Sequence, residues 1–402
     1  MLDYRERFFS HLRLCSLAFG MVAFLGAAAM AQTPMVVLIN PGDQGEQSRF
    51  AVYTAWKAAV EQALRKEKLT GISVTQSNDA RADLSASRSR IPDIFVAPAH
   101  IIGSAVRNGY TPVLGFDRPV KAVLVAPRDS TVSSLAQAQG KRLGLPTQDS
   151  VVTYLIRGEV NAANTTIKRH FSDVYETRYQ DALLICLQMK RCDVVAVEMA
   201  VFNRWVAAGE PVKSVLETRP APSISVALKN GSRPGPVALR AALTAGADAL
   251  PGSDGAKPMV LTAKDFEYVS TLGYFTPRAL AGATLLDASG VAQLVSAGGV
   301  YLIDTRNNEE FRAGHLPGAK LVPYVEKSAK DPDFNAKEDQ FDLSQLPADK
   351  NSVLVFSCNG PECWKSFKAS HAAIKAGYTR VHWFRNGFPG WRDAGMQVAT
   401  GP

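Results

Sequence analysis

The stretch "SVLVFSCNGPECWKSF", residues 352–367, places two cysteines five positions apart between two different hydrophobic patterns. Val353–Phe356 is an unbroken apolar run of strand length, and the residues after Cys363 read as a helix. Gly360 and Pro361 punctuate the link between them. Strand, tight turn and helix in this order form the repeating unit of an α/β sheet, with Cys358 at the strand end and Cys363 at the helix start.

The same alternation extends over nearly the whole chain. "MVVLIN", "DIFVAP", "KAVLVAP", "KRLGLP", "DVVAVEM" and "SISVAL" read as strands, and 50–66, 150–163 and 237–249 as helices. Continuous apolar strands between amphipathic helices predict sheets covered on both faces. The pattern softens at "ALPGSDGAKP" (249–258) and restarts after "TPRALAGATLLDASG", which puts the main domain boundary near Ala283.

A chain of 402 residues with 46% hydrophobic content is long enough for two or three domains. The charge of +8 is spread over 45 basic and 37 acidic residues without a long Lys/Arg block, which argues against a dedicated nucleic-acid surface. Residues 1–31 have an Arg-containing head, an uncharged segment from Leu14 to Met30 and the small-residue finish Ala29-Met30-Ala31. This is the pattern of a signal peptide cleaved after Ala31, with an uncleaved anchor as the alternative. The expected location is therefore the periplasm.

Export leaves four cysteines in two local pairs. A continuous helix would hold Cys186 and Cys192 about 9 Å apart, beyond disulfide reach. The helical pattern ends near Lys190, so a turn can bring them together as a structural clip; two buried inert thiols are the alternative. Neither pair has the ligand spacing of a zinc site, and the sequence calls for no cofactor.

The body from Thr33 to Ala283 resembles bilobed periplasmic solute-binding proteins, specifically the phosphonate, phosphite and sulfonate binders. The likeness rests on "RIPDIFVAPAH", on "PVLGFDRPVKAVLVAPRDSTVSSLAQAQGKRLGLPTQDSVVTYLIRGEV" and on "QDALLICLQMKRCDVVAVEMAVFNRW". It implies a binding domain at 32–283, following the signal peptide at 1–31, with lobe one at 33–118 and 219–283 and lobe two at 119–218. Ligand would bind in the cleft between them. A helix starting near Ser150 would offer free amides, joined by the hydroxyls of Thr147, Ser150 and Thr153, to an oxyanion. Ser150 or Asp149 acting only as a cap is the plainer reading, and Asp149 would repel an anion. His100 is a further cleft candidate or a structural histidine.

The last third, 284–402, is similar to a rhodanese domain, an α/β fold with a central parallel sheet. "GGVYLIDTRNNEEFRAGHLPGAKLVPY" carries Asp304, Arg306 and the Gly314–Ala319 turn, and "SVLVFSCNGPECWKSFKASHAAIKAGYTRVHWFRNGFPGWRDAGMQV" carries the cysteine loop and Gly387-x-x-Gly390-Trp391. The resemblance implies sulfur transfer. A sulfane-sulfur donor such as thiosulfate would load a persulfide on Cys358, and cyanide or a thiol would remove it. Asp304 and Arg306 would organise and flank the site. Loop amides and the helix dipole would favour the thiolate of Cys358, because such surroundings lower cysteine pKa values to roughly 3.5–7.5.

The loop Cys358, Asn359, Gly360, Pro361, Glu362, Cys363, followed by Trp364 and Lys365, departs from the usual pattern in lacking a terminal Arg. Pro361 also removes a donor. Cys363 allows three readings: a resolving thiol in sulfur transfer, a dithiol/disulfide relay, or a permanent structural disulfide. The Cys363-Trp364 pair is also similar to Cys-Trp motif rhodanese-like proteins associated with periplasmic quinoprotein dehydrogenase systems. The competing reading is a binding protein of a transport system whose rhodanese module serves redox or docking without sulfur transfer.

Overall fold

Strands β1 (Met35–Ile39), β2 (Ile72–Gln76), β3 (Ile94–Ala97) and β4 (Tyr110–Phe116) alternate with helices α1 (Glu46–Lys66), α2 (Ala80–Ser89) and α3 (Ala99–Arg107). The chain then builds a second sheet from β5 (Ala122–Pro127), β6 (Arg142–Pro146), β7 (Asp173–Thr177), β8 (Val194–Glu198) and β9 (Val212–Glu217). Its helices are α4 (Val151–Ala162), α5 (Ile167–His170), α6 (Ala182–Gln188) and α7 (Met199–Ala207). The chain returns to the first sheet as β10 (Ser225–Lys229) and β11 (Pro258–Met259) around α8 (Pro236–Thr244), and α9 (Glu267–Thr271) follows. This computed structural model describes residues 34–402 apart from 44, 246–249 and 251–254.

The strand orders are β11-β4-β10-β3-β1-β2 and β7-β6-β8-β5-β9. In the first sheet β1 pairs in parallel with β2 and β3, while the returning β10 is antiparallel to β3 and β4. In the second, β6 is parallel to β7 and β8, and the entering β5 is antiparallel to β8 and β9. One excursion out of the first sheet and one return give the bilobed periplasmic-binding-protein fold. The expected signal peptide lies outside the described residues. Among those residues no helix is long and apolar enough to cross a membrane.

A third sheet follows, from β12 (Ala283–Leu285), β13 (Val300–Asp304), β14 (Lys320–Leu321), β15 (Val353–Ser357) and β16 (Arg380–Phe384). Its helices are α10 (Ala288–Ala297), α11 (Asn308–Ala313), α12 (Trp364–Lys375) and α13 (Gly387–Asp393). All pairings are parallel in the order β12-β16-β15-β13-β14. Every residue of the central β15 is buried. Leu354 and Phe356 pack with Ala369 and Ala373 of α12, whereas Val355 faces Val291 and Trp391 on the other side. Burial on both faces is why "VLVF" carries no polar alternation. This rhodanese-like domain rests on the binding body, where α2 packs against α11 and α13.

In the second lobe, α6 ends and Lys190 turns the chain at φ +54°, returning it to β8. Cys186 and Cys192 then lie with Cα atoms 5.4 Å apart and their sulfurs at bonding distance, among Leu183, Val195 and Trp205.

Candidate active site and binding cleft

Cys358 follows β15 directly and is fully buried. Its Sγ donates to the carbonyl oxygen of Cys363 at 3.2 Å and meets Ser366 Oγ at 3.1 Å. Trp383 Nε1 donates to the same Ser366 oxygen at 3.0 Å. Gly360, at φ +84°, lets the loop reverse, and the Cys363 amide closes onto Gly360 O at 2.9 Å. The carbonyl of Cys358 accepts from Phe388 N at 2.8 Å, an approach that requires Gly387, because a Cβ there would overlap that oxygen. Both thiols are free, and Cys363 forms the N-cap of α12 without a side-chain cap bond.

The loop is held from below by a buried pair. Arg306 and Asp304 are fully buried; Arg306 Nε donates to both Asp304 oxygens at 2.9 and 3.0 Å, and Nη2 donates to Oδ2 at 2.6 Å. A further Arg306 bond reaches Gly314 O at 2.6 Å, and Nη1 reaches Asn359 Oδ1 at 3.4 Å. Asn359 in turn donates to Glu310 Oε1 at 2.7 Å and to Ser85 Oγ at 2.9 Å. Ser85 belongs to α2 of the binding body, and its own hydroxyl donates to Glu310 at 2.5 Å. Pro361 O accepts from the Thr276 amide and hydroxyl, both at 2.8 Å, and Trp364 Nε1 donates to Tyr274 O at 2.8 Å. Every turn of the cysteine loop is therefore fastened to residues outside it.

Glu362 inserts between Arg88 Nη1 at 3.7 Å and Arg107 Nη1 at 4.0 Å, and packs so closely over Gly273 that no Cβ fits there. The cation missing from the loop itself is thus present in space, on α2. Sequence reading missed Arg88 because nothing local marks it.

The two thiols differ electrostatically. Burial, followed by hydrogen bonding to Cys363, raises the Cys358 pKa well above the ordinary thiol value, and the lowering by Ser366 does not offset it. The expectation that loop amides keep Cys358 ionised is not met in this arrangement, because desolvation of a sulfur with no exposure outweighs them. Burial also raises Cys363, but the bond from Cys358 and the charges of Arg88 and Lys365 outweigh it, bringing Cys363 down to about 7. Cys363, with Lys365, lines a cavity of about 260 Å³ between the two modules; Cys358 does not.

The cleft between the lobes is small, about 60 Å³, and lined by Asn40, Asp43, Arg49, His100, Thr147, Asp149, Ser150 and Arg178. Ser150 caps α4 by accepting from Val152 N at 3.1 Å, and its hydroxyl donates to Asp43. Thr153 does not reach the cleft; its hydroxyl faces the carbonyls of Pro146 and Thr147 at 3.1 and 3.0 Å. His100 Nε2 donates to Asp149 O at 2.8 Å, and burial lowers its pKa to about 4, so it is neutral. Gln180 bridges Asp43 and Glu198 at 2.6 and 3.1 Å. Burial and then the nearby Asp43 push Glu198 up to about 7.

Asp149 connects the cleft to the rhodanese-like domain. Lys330 Nζ contacts it at 2.5 Å and Arg81 Nε at 3.3 Å. Burial raises the carboxyl, but these two cations outweigh it and hold the pKa below the ordinary value. The Lys330 loop is anchored to α12 by the fully buried Lys368, which contacts Glu326 at 2.8 Å and Ser328 Oγ at 2.8 Å. Among the described residues no cluster of metal-ligating side chains occurs.

The family described as rhodanese-like domain matches residues 287–394. The family described as ABC transporter, phosphonate, periplasmic substrate-binding protein matches 48–260, over half of the chain. The chain is 31% identical over 119 residues to thiosulfate sulfurtransferase 18 of Arabidopsis thaliana, covering 29% of this chain and 82% of that protein. It is 33% identical over 105 residues, 26% of its own length, to the HTH-type transcriptional regulator Rv0324 of Mycobacterium tuberculosis, spanning 40% of that protein. Similar solved structures include the binding protein component of an ABC phosphonate transporter from Pseudomonas aeruginosa, with TM-score 0.47, 14% identity and coverage of 60% and 85% of the two chains. PhnD1 from Prochlorococcus marinus, in complex with methylphosphonate, has TM-score 0.47 and 11% identity, covering 60% of this chain and 97% of that one. The chain belongs to the phosphonate-type periplasmic substrate-binding family and carries a C-terminal rhodanese-like domain.

Proposed function

We propose that this is an exported protein that transfers sulfane sulfur through a persulfide on Cys358 and binds a small polar or anionic solute in its cleft. The observation that carries the reading is the position of Cys358, at the end of the central parallel strand and under a loop closed by Gly360 and Gly387. A thiolate of the cysteine loop attacks the outer sulfur of a donor such as thiosulfate, and the sulfane sulfur comes to rest on Cys358. The donor S–S bond breaks, sulfite leaves with the electron pair, and a thiol or cyanide acceptor later removes the sulfur. In the cleft, Arg178 and Thr147 offer donors, while Lys330 and Arg81 neutralise Asp149, which would otherwise repel an anion. An oxidising compartment would also close the Cys186–Cys192 clip.

The test is intact mass of the full chain after thiosulfate treatment, with and without reductant. A gain of one sulfur atom that peptide mapping places on Cys358 of the wild-type chain supports the reading. A wild-type chain that gains none, and instead cycles between dithiol and disulfide, supports a redox or docking module in a transport or quinoprotein-associated system; the hydrogen bond from Cys358 Sγ to the Cys363 carbonyl, with both thiols free, favours this second reading.

A further inference from the structure

We propose that the cavity between the modules is the docking site for an anionic sulfur donor, built by Arg88 of the binding body with Lys365, and that Cys363 is the thiol that receives the sulfur. This deepens the sulfur-transfer reading and rests on it.

Arg88 is buried, with 6% exposure, and lines this cavity beside Cys363. Its Nε has no hydrogen-bond partner among the described residues, and its one ion pair, to Glu362, is long at 3.7 Å. Burying a guanidinium with unmade bonds is costly, and a small anion in the cavity would complete them. Arg81, Lys330 and Lys365 line the same cavity. Its acidic members are already engaged: Asp79 with the amides of Arg81 and Ala82, Glu326 with Lys368 and Glu362 with two arginines. The free sulfur facing this space is that of Cys363, whose proton is held less tightly than that of Cys358.

The chemistry then takes two balanced steps. The Cys363 thiolate attacks the outer sulfur of thiosulfate, the donor S–S bond breaks, and sulfite departs with the electron pair, leaving a persulfide on Cys363. Cys358 next attacks that outer sulfur. The bond to Cys363 breaks, and the proton released from Cys358 passes to the Cys363 sulfur. The sulfane sulfur ends on the inner cysteine, away from solvent.

The test uses the full-length protein and two donors, thiosulfate and a neutral organic trisulfide. Losing a charge-assisted bond to the donor predicts that Arg88→Gln raises KM for thiosulfate about 10-fold or more relative to its effect on the trisulfide. Arg88→Lys should recover part of this, and Lys365→Gln, at a partly exposed position that does not threaten folding, should shift KM in the same direction. Cys363→Ser should slow loading of Cys358 from thiosulfate in a mass-resolved time course. Unchanged thiosulfate KM in both Arg88→Gln and Lys365→Gln overturns the docking site. Loading of Cys358 at the wild-type rate in Cys363→Ser overturns the receiving thiol. A wild-type chain inert to both donors overturns the sulfur-transfer reading itself, and this proposal with it.

Discussion

Two helix N-termini in this molecule follow the same strand-turn-helix path, yet they end in opposite electrostatic states. At α4, Ser150 caps the helix, its hydroxyl engages Asp43, and Asp149 is held by Lys330 and Arg81. At α12, the capping position is Cys363, which makes no cap bond, and the neighbouring cation Arg88 has an unpartnered Nε. The positive end of a helix is common property; whether it can act on a ligand depends on what already occupies it. The first N-terminus has spent its donors on its own protein, whereas the second keeps them beside two sulfurs.

The largest test of this contrast is Cys358→Ser, which should lower thiosulfate:cyanide turnover by about 10⁴-fold or more while leaving solute binding in the cleft unchanged. Next, Arg306→Leu strands Asp304 as an unpaired charge at 0% exposure. It should cost about 3–5 kcal/mol in urea unfolding. Lys330→Met removes the corresponding cation from Asp149, but Arg81 stays at 3.3 Å, so the cost should be smaller, about 1–3 kcal/mol. Equal costs would erase the distinction between the two sites.

The caps themselves predict opposite signs. Ser150→Ala should destabilise by about 1 kcal/mol, whereas Cys363→Ser supplies a missing cap and should stabilise by up to about 1 kcal/mol, read from paired denaturation curves. The smallest effect is one of pH. Glu198 binds its proton more tightly folded, near 7, than at its ordinary 4.5. Its contribution is therefore fully present below about 4.5 and is lost as pH rises through about 7. Glu198→Gln should flatten the fall in Tm between about pH 5 and 8.

Much of this architecture was readable in the chain. "VLVF" announced a strand buried on both faces, and "KAVLVAP" and "DVVAVEM" did the same for β5 and β8; "MVVLIN" announced β1, which is buried on one face and half-buried on the other. The weaker strands β2, β7 and β9 escaped notice because they are partly exposed and carry polar residues. Asp304 and Arg306 sit two positions apart, so a local motif exposes them. Ser85 and Lys330 do not, since their partners lie 274 and 181 positions away, and no local pattern says which helix will dock against which loop. Thr153 shows the converse limit: its spacing suited a ligand contact, but the preceding carbonyls took its hydroxyl.

Glu310 collects hydrogen bonds from Asn359 on one side and from Ser85 and Ser89 of the neighbouring module on the other. Cutting the protein near Ala283 would keep both cysteines of the loop and every strand of the last sheet, yet it would strip this carboxylate of half its donors and open the cysteine loop to bulk water. The excised piece would be a different reagent from the parent, with the front two thirds serving as its missing wall.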